Sequence, residues 1–249
     1  MYDFQKANMW KRISAALFDF IILITVIVGL AFLLSAAFGY DGYITHFDDI
    51  RNSYGEEYGI DLKADYESLS EEERAKLTEA DKAFQNDSDA AYTYEMIVNL
   101  TFIITIFSIL LGYVLLEFIV PLLFKNGQTF GKKIFGIAVM REDGVKVSPL
   151  LMFARTVLGK CTVETLLPIL IVVMVLLGLM GIVGTVIIFA MLIGQLILVI
   201  ATKAHTPLHD KLAHTVTVDY ASQMIFDSPE AMIEYKQRIH AEQVEAEKN

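Results

Sequence analysis

ISAALFDFIILITVIVGLAFLLSAAF, residues 13–38, is a run of 26 residues in which Asp19 carries the only charge. About 20 apolar residues cross a bilayer as a helix, so residues 1–38 are predicted to hold the N-terminus and a first membrane span. A carboxylate inside a span costs about 2.5–3.5 kcal/mol on insertion scales and normally faces a partner or a water-filled cavity. Arg12 precedes Asp19 by seven residues, about two helical turns, so both side chains are expected on one helix face. Asp19 is therefore the first candidate for a functional site, with Arg12 as its candidate partner.

Two further apolar blocks follow. Residues 97–124 form a second predicted span, in which Glu117 is the only charge. Residues 163–202 are longer, and a single helix of this length would be nearly twice the hydrocarbon thickness. Glycines in the middle of the block favour a tight hairpin with spans at about 164–179 and 182–202. One tilted span plus an interfacial segment is the alternative.

The charges of the connecting segments predict the orientation of the spans. Residues 39–96 hold sixteen acids and five bases, whereas residues 125–160 hold seven bases and two acids. Since positive loops stay in the cytoplasm, the acidic loop 39–96 is predicted to be extracytoplasmic. The N-terminus, the segment 125–162 and the tail 203–249 are then cytoplasmic. The acidic loop does not have the spacing of a calcium site and is expected to attract cations only loosely.

The segment 125–162 is predicted to be structured. Two β-prone runs, 133–140 and 145–147, flank an Asp143-Gly144 turn and indicate a β-hairpin. Pro149 then opens an amphipathic helix through Lys160, which would lie on the inner leaflet or form a re-entrant piece. The predicted fold is an all-α membrane protein: a four-span helical bundle with a small cytoplasmic β-hairpin and an amphipathic helix between spans 2 and 3. Shorter soluble helices are predicted to begin after Ser70 and Ser228.

Two more groups of polar residues are candidates for a site. Glu117 lies late in the second span, as an interfacial acid or as a carboxyl that faces Asp19 across the bundle. His209 and Asp210 follow the last span, with His205 and His214 nearby. Because Pro207 disfavours one regular helix through the histidines, a His-Asp hydrogen-bond group at the interface is favoured over a zinc site.

No motif indicates catalysis. Gly127–Lys133 resembles a phosphate loop, but three residues rather than four separate its glycines and no Ser or Thr follows Lys132. The single cysteine, Cys161, excludes an intrachain disulfide and is expected to pack near a membrane end. We expect no enzymatic activity, no cofactor, no metal and no nucleic-acid partner.

Three segments occur together in a fixed order. They are WKRISAALFD at 10–19, GQTFGKKIFGI at 127–137 followed by Asp143-Gly144 and Arg155, and LHDKLAHTV at 208–216 followed by Val218. In combination they resemble the RDD family of integral membrane proteins, named for one arginine and two aspartates. The resemblance covers about residues 6–220 and omits the acidic loop, which is unusually long for the family. It implies Arg12 as the arginine and Asp19 and Asp210 as the aspartates, while His214 stands where small residues are common.

The resemblance implies two hypotheses, since some family members are associated with cation/proton antiport and others are accessory proteins. In the first, the chain carries a monovalent cation or small solute: Asp19 binds cation and proton alternately, Arg12 sets its pKa, and His209 and Asp210 relay protons. Four spans without an inverted repeat are few for this mechanism unless the protein dimerises.

In the second hypothesis the protein is an accessory or scaffold protein. Arg12–Asp19 would then be a structural pair and Arg155–Asp210 a second one, with a membrane protein or a second copy as partner. In either hypothesis the chain is a multi-pass protein that contacts the lipid bilayer. The family resemblance and the charge asymmetry favour the cytoplasmic membrane of a bacterium.

Overall fold

The computed structural model describes residue 5 and residues 7–124, 126–202 and 206–248. The chain divides into two compact units. The first comprises Met1–Ile27 with Ile109–Asn249, and the second Val28–Ser108. Most of the polar groups singled out above belong to the first unit.

The chain is mainly helical, with two short strands. The α-helices are α1 (Met9–Ala37), α2 (Tyr40–Tyr58), α3 (Glu71–Gln85), α4 (Ser88–Tyr113), α5 (Val120–Leu123), α6 (Phe130–Ile134), α7 (Pro149–Phe153), α8 (Leu167–Leu176), α9 (Gly181–Ala201), α10 (Leu208–Leu212) and α11 (Pro229–Lys248). Two π-helical segments connect them, the first π segment at Val114–Ile119 and the second π segment at Ala154–Leu166. A 3₁₀ turn lies at Tyr66–Ser68, and the strands are β1 (Ile137–Arg141) and β2 (Thr215–Asp219).

Four continuous helical stretches of the described chain are long and apolar enough to cross a membrane: Met9–Ala37, Ser88–Leu123, Pro149–Leu176 and Gly181–Ala201. Within Gly181–Ala201 only 6% of the most apolar window is buried by protein, as expected of a helix that faces lipid. The prediction of a mainly helical membrane fold with four candidate spans and a small sheet is confirmed at this level. Their orientation in a bilayer stays a prediction.

A tight turn joins α8 to α9. Gly178 and Gly181 adopt φ values of 74° and 51°, which only glycine adopts without strain. The ends of the two helices pack closely, since a Cβ on Gly184 would overlap Val175. These glycines let the chain reverse within four residues, which is the hairpin geometry predicted for residues 163–202.

The predicted β-hairpin around Asp143-Gly144 is wrong in its main pairing. The turn is present, but it closes only a single bridge between Met140 and Lys146. The five residues of β1 pair antiparallel with β2, from Ile137 opposite Asp219 to Arg141 opposite Thr215. The physical reason is burial: β2 supplies Val216 and Val218, which pack with the β1 side chains in one apolar cluster.

The helix predicted for residues 149–160 begins at Pro149 as expected, but its predicted end at Lys160 is wrong. Helical structure continues from Pro149 through the second π segment into α8, with no break before Glu164. The helix tolerates Lys160 and Glu164 within the candidate span because Glu117 and His209 pair with them.

Three local predictions are confirmed. Ser70 and Glu73 form a capping box at the start of α3, and Pro229 opens the C-terminal helix α11. Cys161 is a buried packing residue in an apolar cluster with Leu23 and Tyr113.

Candidate functional site

Asp19 is held by a loop that lies more than 100 residues further along the chain. Its carboxylate accepts a hydrogen bond from the Thr129 hydroxyl at Oδ2 and one from the backbone N–H of Gly131 at Oδ1, the latter at 2.7 Å. Asp19 is only 9% exposed, so these bonds replace the water that a buried carboxylate needs. The loop thus supplies two hydrogen-bond donors to Asp19.

The loop sequence explains this contact. Thr129 caps the short helix α6 by accepting from the Lys132 N–H, which fixes its hydroxyl beside Asp19. Gly131 is required sterically, because a Cβ there would overlap the carbonyl oxygen of Ala15 and lie 2.9 Å from Asp19 Cγ. Gln128 anchors the other side of the loop through a 2.8 Å bond to the carbonyl of Ile137. The segment that partly resembles a phosphate loop is therefore a docking loop for the carboxylate of Asp19.

Arg155 and Asp210 form a buried ion pair. Arg155 Nε lies 2.6 Å from Asp210 Oδ1, with side-chain exposures of 3% and 1%. Hydroxyls of Thr215 and Thr217 donate to the two carboxylate oxygens at 2.9 and 3.4 Å. Burial opposes ionisation of Asp210, but the charge of Arg155 outweighs it and holds the pKa of the carboxyl well below its usual range. Asp210 thus stays ionised and ties the second π segment to α10 and β2.

His209 pairs with Glu164, the acid at the start of the predicted third span. Glu164 accepts from the His209 backbone N–H at 2.9 Å and contacts His209 Nδ1 at 2.8 Å. The distance from His209 Nε2 to Asp210 is 3.9 Å, so the expected His-Asp hydrogen bond is replaced by a His-Glu one. Gly159 allows this close packing, since a Cβ there would lie 2.8 Å from His209 Cβ. A lone acid at the edge of an apolar block was the signal that could have identified Glu164.

Glu117 is 2% exposed and pairs with Lys160 through Oε1. Its other oxygen, Oε2, is the one buried side-chain polar atom of the described residues that has no hydrogen-bond partner. Leaving such an oxygen unsatisfied costs about 1–3 kcal/mol. Glu117 and Asp19 do not pair, because each has partners of its own. Glu117 is therefore the carboxylate with unused acceptor capacity.

The two π segments align these charged groups. In a π-helix, residues five apart are bonded across one turn, and such turns often occur at functional sites. Arg155, Lys160 and Thr165 are five apart in the second π segment, and the Thr165 hydroxyl donates to the Lys160 carbonyl at 2.9 Å. The first π segment carries Glu117, whose backbone carbonyl accepts from Thr156 at 2.9 Å. The wide turns thus bring buried charges from two helices together.

A cavity of about 250 Å³ lies within this cluster. Its charged lining consists of Arg12, Asp19, Lys132, Arg155, Lys160, His209 and Asp210. A neighbouring, mainly apolar cavity of about 460 Å³ is lined by Glu117 and shares Lys160 with the first. Five of the six predicted site residues thus line one cavity, and Glu117 lines the adjacent one.

Lys132 and Arg12 complete the electrostatics of the cavity. Burial, together with the nearby charges of Arg155 and Lys160, lowers the pKa of Lys132 to about 8, although Glu117 and Asp19 oppose the shift. Arg12 interacts electrostatically with Asp210 as well as with Arg155. The predicted site residues did not include Lys132, Lys160 or Thr129. The only sequence signals for them were the 127–137 segment, which contains Thr129 and Lys132, and the helix that contains Lys160.

Two more histidines near Asp210 in the sequence, His205 and His214, were also singled out. His205 lies outside the described residues. His214 is 80% exposed in its side chain and lies 3.8 Å from Glu142. It adopts a φ of 49°, a left-handed conformation in which glycine is the least strained residue.

Comparison with protein families gives one assignment. The model of the RDD family matches residues 6–214. No match is found among curated proteins or among solved structures.

Proposed function

The chain belongs to the RDD family, and on this premise we propose that it carries a small solute or monovalent cation across a membrane with proton coupling, with Glu117 as the carboxyl that takes up the proton. Glu117 thereby replaces Asp19, to which the carrier hypothesis from the sequence assigned proton binding. Asp19 has a positioning role in the proposal, since it fixes the docking loop against α1.

The unpaired Oε2 of Glu117 carries the proposal. Each carboxylate oxygen of Asp19, Asp210 and Glu164 is within hydrogen-bond distance of a donor group of the protein. Adding a proton or a cation to one of these acids would break an existing bond. Glu117 can accept a proton at Oε2 without losing any bond, and a buried ionisable group of this kind is typical of proton pathways in membranes.

The charge pattern of the sequence supports a position of Glu117 near the cytoplasmic side of the membrane. Glu117 lies in the last part of Ser88–Leu123, directly before the basic segment 125–162. The positive-inside rule places that segment in the cytoplasm, so a proton would reach Glu117 from the cytoplasmic face. A bacterial cytoplasmic membrane with both termini inside is part of the same proposal.

The alternative is an accessory or scaffold protein, and a different observation favours it. Two buried ties, from Asp19 to the docking loop and from Arg155 to Asp210, join distant parts of the chain. Such ties specify one arrangement of helices without requiring transport. The exposed tail helix α11 would then be the part that meets a partner or a second copy.

Proton flux in proteoliposomes distinguishes these two functions. The full chain would be reconstituted with a trapped pH dye and pulsed with Na⁺, K⁺ or a panel of anions. The carrier proposal expects a pH change that Glu117→Gln abolishes and that Glu79→Gln, at an exposed acid of α3, leaves intact.

Flux that survives Glu117→Gln in folded protein would contradict the assignment of Glu117. An absence of flux from folded wild-type protein, over several pH values and all the ions, would favour the accessory function. Gel filtration and thermal melting in detergent would establish that both variants fold.

A further inference from the structure

The cavity beside Asp19 has an excess of positive charge. Four basic side chains line it, Arg12, Lys132, Arg155 and Lys160, against the two carboxylates of Asp19 and Asp210. Counting Glu117 of the adjacent cavity, which pairs with Lys160, basic groups still outnumber carboxylates by four to three. Placing uncompensated charge at the edge of an apolar layer is costly, so such groups need counter-charges or water.

Neither carboxylate of the lining is available to a cation. Asp19 accepts from a hydroxyl and a backbone N–H, and Asp210 accepts from Arg155 and two threonines. A metal or alkali ion would have to displace these donors. The cavity therefore lacks the free oxygen ligands that hard cations require.

Lys132 is the clearest sign of an anion site. Its ammonium donates to the neutral hydroxyl of Thr129 at 3.3 Å, and within the described chain no carboxylate oxygen lies within 4.0 Å of it. The lowered pKa of Lys132 shows that its surroundings disfavour its positive charge. An anion in the cavity would remove this penalty.

Arg155 and the size of the cavity indicate which class of anion would fit. Arg155 binds Asp210 through Nε, and the guanidinium fork is suited to bidentate contact with planar or tetrahedral oxyanions. A volume of about 250 Å³ corresponds to roughly eight water molecules at about 30 Å³ each, enough for one phosphate group with some water. Lysine and arginine together are the usual ligands of phosphate.

We infer that this cavity binds a phosphate-bearing anion, supplied either by a free solute or by the headgroup of an anionic lipid. The binding of such an anion does not depend on transport. The further statement that this anion is the solute carried rests on the proposed function. In that role the cavity holds the anion, while Glu117 in the neighbouring cavity takes the proton.

Binding would be measured on the full chain purified in detergent. Inorganic phosphate would be titrated with thermal melting as the readout, against sodium chloride at matched ionic strength. We expect phosphate to raise Tm in wild type and in Lys133→Gln, an exposed neighbour of Lys132, and the affinity to fall at least tenfold in Lys132→Gln. The inference would be overturned if phosphate raised the Tm of Lys132→Gln as much as that of the wild type. It would also be overturned if neither phosphate here nor the anionic lipid in the experiment below raised the Tm of any of these proteins beyond the effect of chloride.

A lipid arm distinguishes the two sources. The same variants would be placed in nanodiscs of phosphatidylcholine with or without phosphatidylglycerol. A Lys132-dependent rise in Tm with phosphatidylglycerol, but not with free phosphate, assigns the headgroup as ligand. The reverse result assigns a free solute.

A second measurement needs no variant and so does not depend on the folding of Lys132→Gln. Sulfate has the same shape as phosphate and does not titrate near pH 8. Calorimetric titration with sulfate at pH 8, in two buffers of different ionisation enthalpy, should reveal proton uptake because the bound anion favours the charged form of Lys132. Binding with no proton uptake would contradict the role of Lys132. Flux that depends on Glu117 but not on phosphate would leave the carrier proposal intact and remove the anion as its solute.

Discussion

Gly131→Ala tests the contact on which the docking loop depends. The new methyl group would overlap the Ala15 carbonyl and lie 2.9 Å from Asp19 Cγ, so α6 must move away from α1. That movement weakens two hydrogen bonds to a buried carboxylate, each worth about 1.5–3 kcal/mol, and adds overpacking strain of about 1–3 kcal/mol. Because water can partly replace the bonds, we expect a net loss of about 3–5 kcal/mol in the free energy of unfolding.

The assay is equilibrium unfolding in mixed micelles, by titration of a denaturing detergent with circular dichroism as the readout. Gly194→Ala is the matched control, since it lies in the membrane helix α9 with no atom within 4 Å of the new Cβ. It should be neutral or stabilising by up to about 1 kcal/mol, the helix preference of alanine over glycine. A Gly131→Ala protein as stable as Gly194→Ala would refute the steric reasoning and the role assigned to the docking loop.

Two further outcomes follow from the buried charges. Lys132 has a pKa of about 8 in the folded protein, below its ordinary value, so the unfolded chain binds more protons than the folded one above pH 8. The free energy of unfolding should therefore rise with pH between about 8 and 10.5. Detergent unfolding curves of Lys132→Gln should show a smaller rise. Arg155→Met leaves the Asp210 carboxylate buried without its charged partner and should lower the free energy of unfolding by about 3–5 kcal/mol in the same assay. The double variant Arg155→Met/Asp210→Leu should recover part of this loss. A double variant less stable than Arg155→Met would contradict the pairing.

The sequence identified some of the polar residues and one pair, Arg155 with Asp210, but not the partners of Asp19 and Glu117. A lone acid in an apolar run identified Asp19 and Glu117, because membranes penalise such charges strongly. The spacing between Arg12 and Asp19 describes only one helix face and contains no information about a loop that lies 110 residues away. The donors that this loop supplies to Asp19 are a threonine hydroxyl and a backbone N–H, groups that have no charge signal in a sequence.

The strand pairing failed for a related reason. An Asp-Gly turn is a local signal, and it correctly predicted a reversal at residues 143–144. The partner of β1 is β2, more than 70 residues further on, and only burial of valines on the two strands selects it. The π turns were also not predicted, since apolar periodicity distinguishes a helix from a strand but not a π turn from an ordinary helical turn.

The geometry of the two cavities links the proton and the anion. Lys160 lines both cavities and is held by Oε1 of Glu117. Protonation of Glu117 removes the negative charge that Lys160 faces, so the positive potential in the adjacent cavity increases and an anion binds there more tightly. By linkage, a bound anion must favour proton uptake by Glu117 to the same extent. Proton and anion would therefore load together, which favours co-transport in one direction over exchange of a cation for a proton.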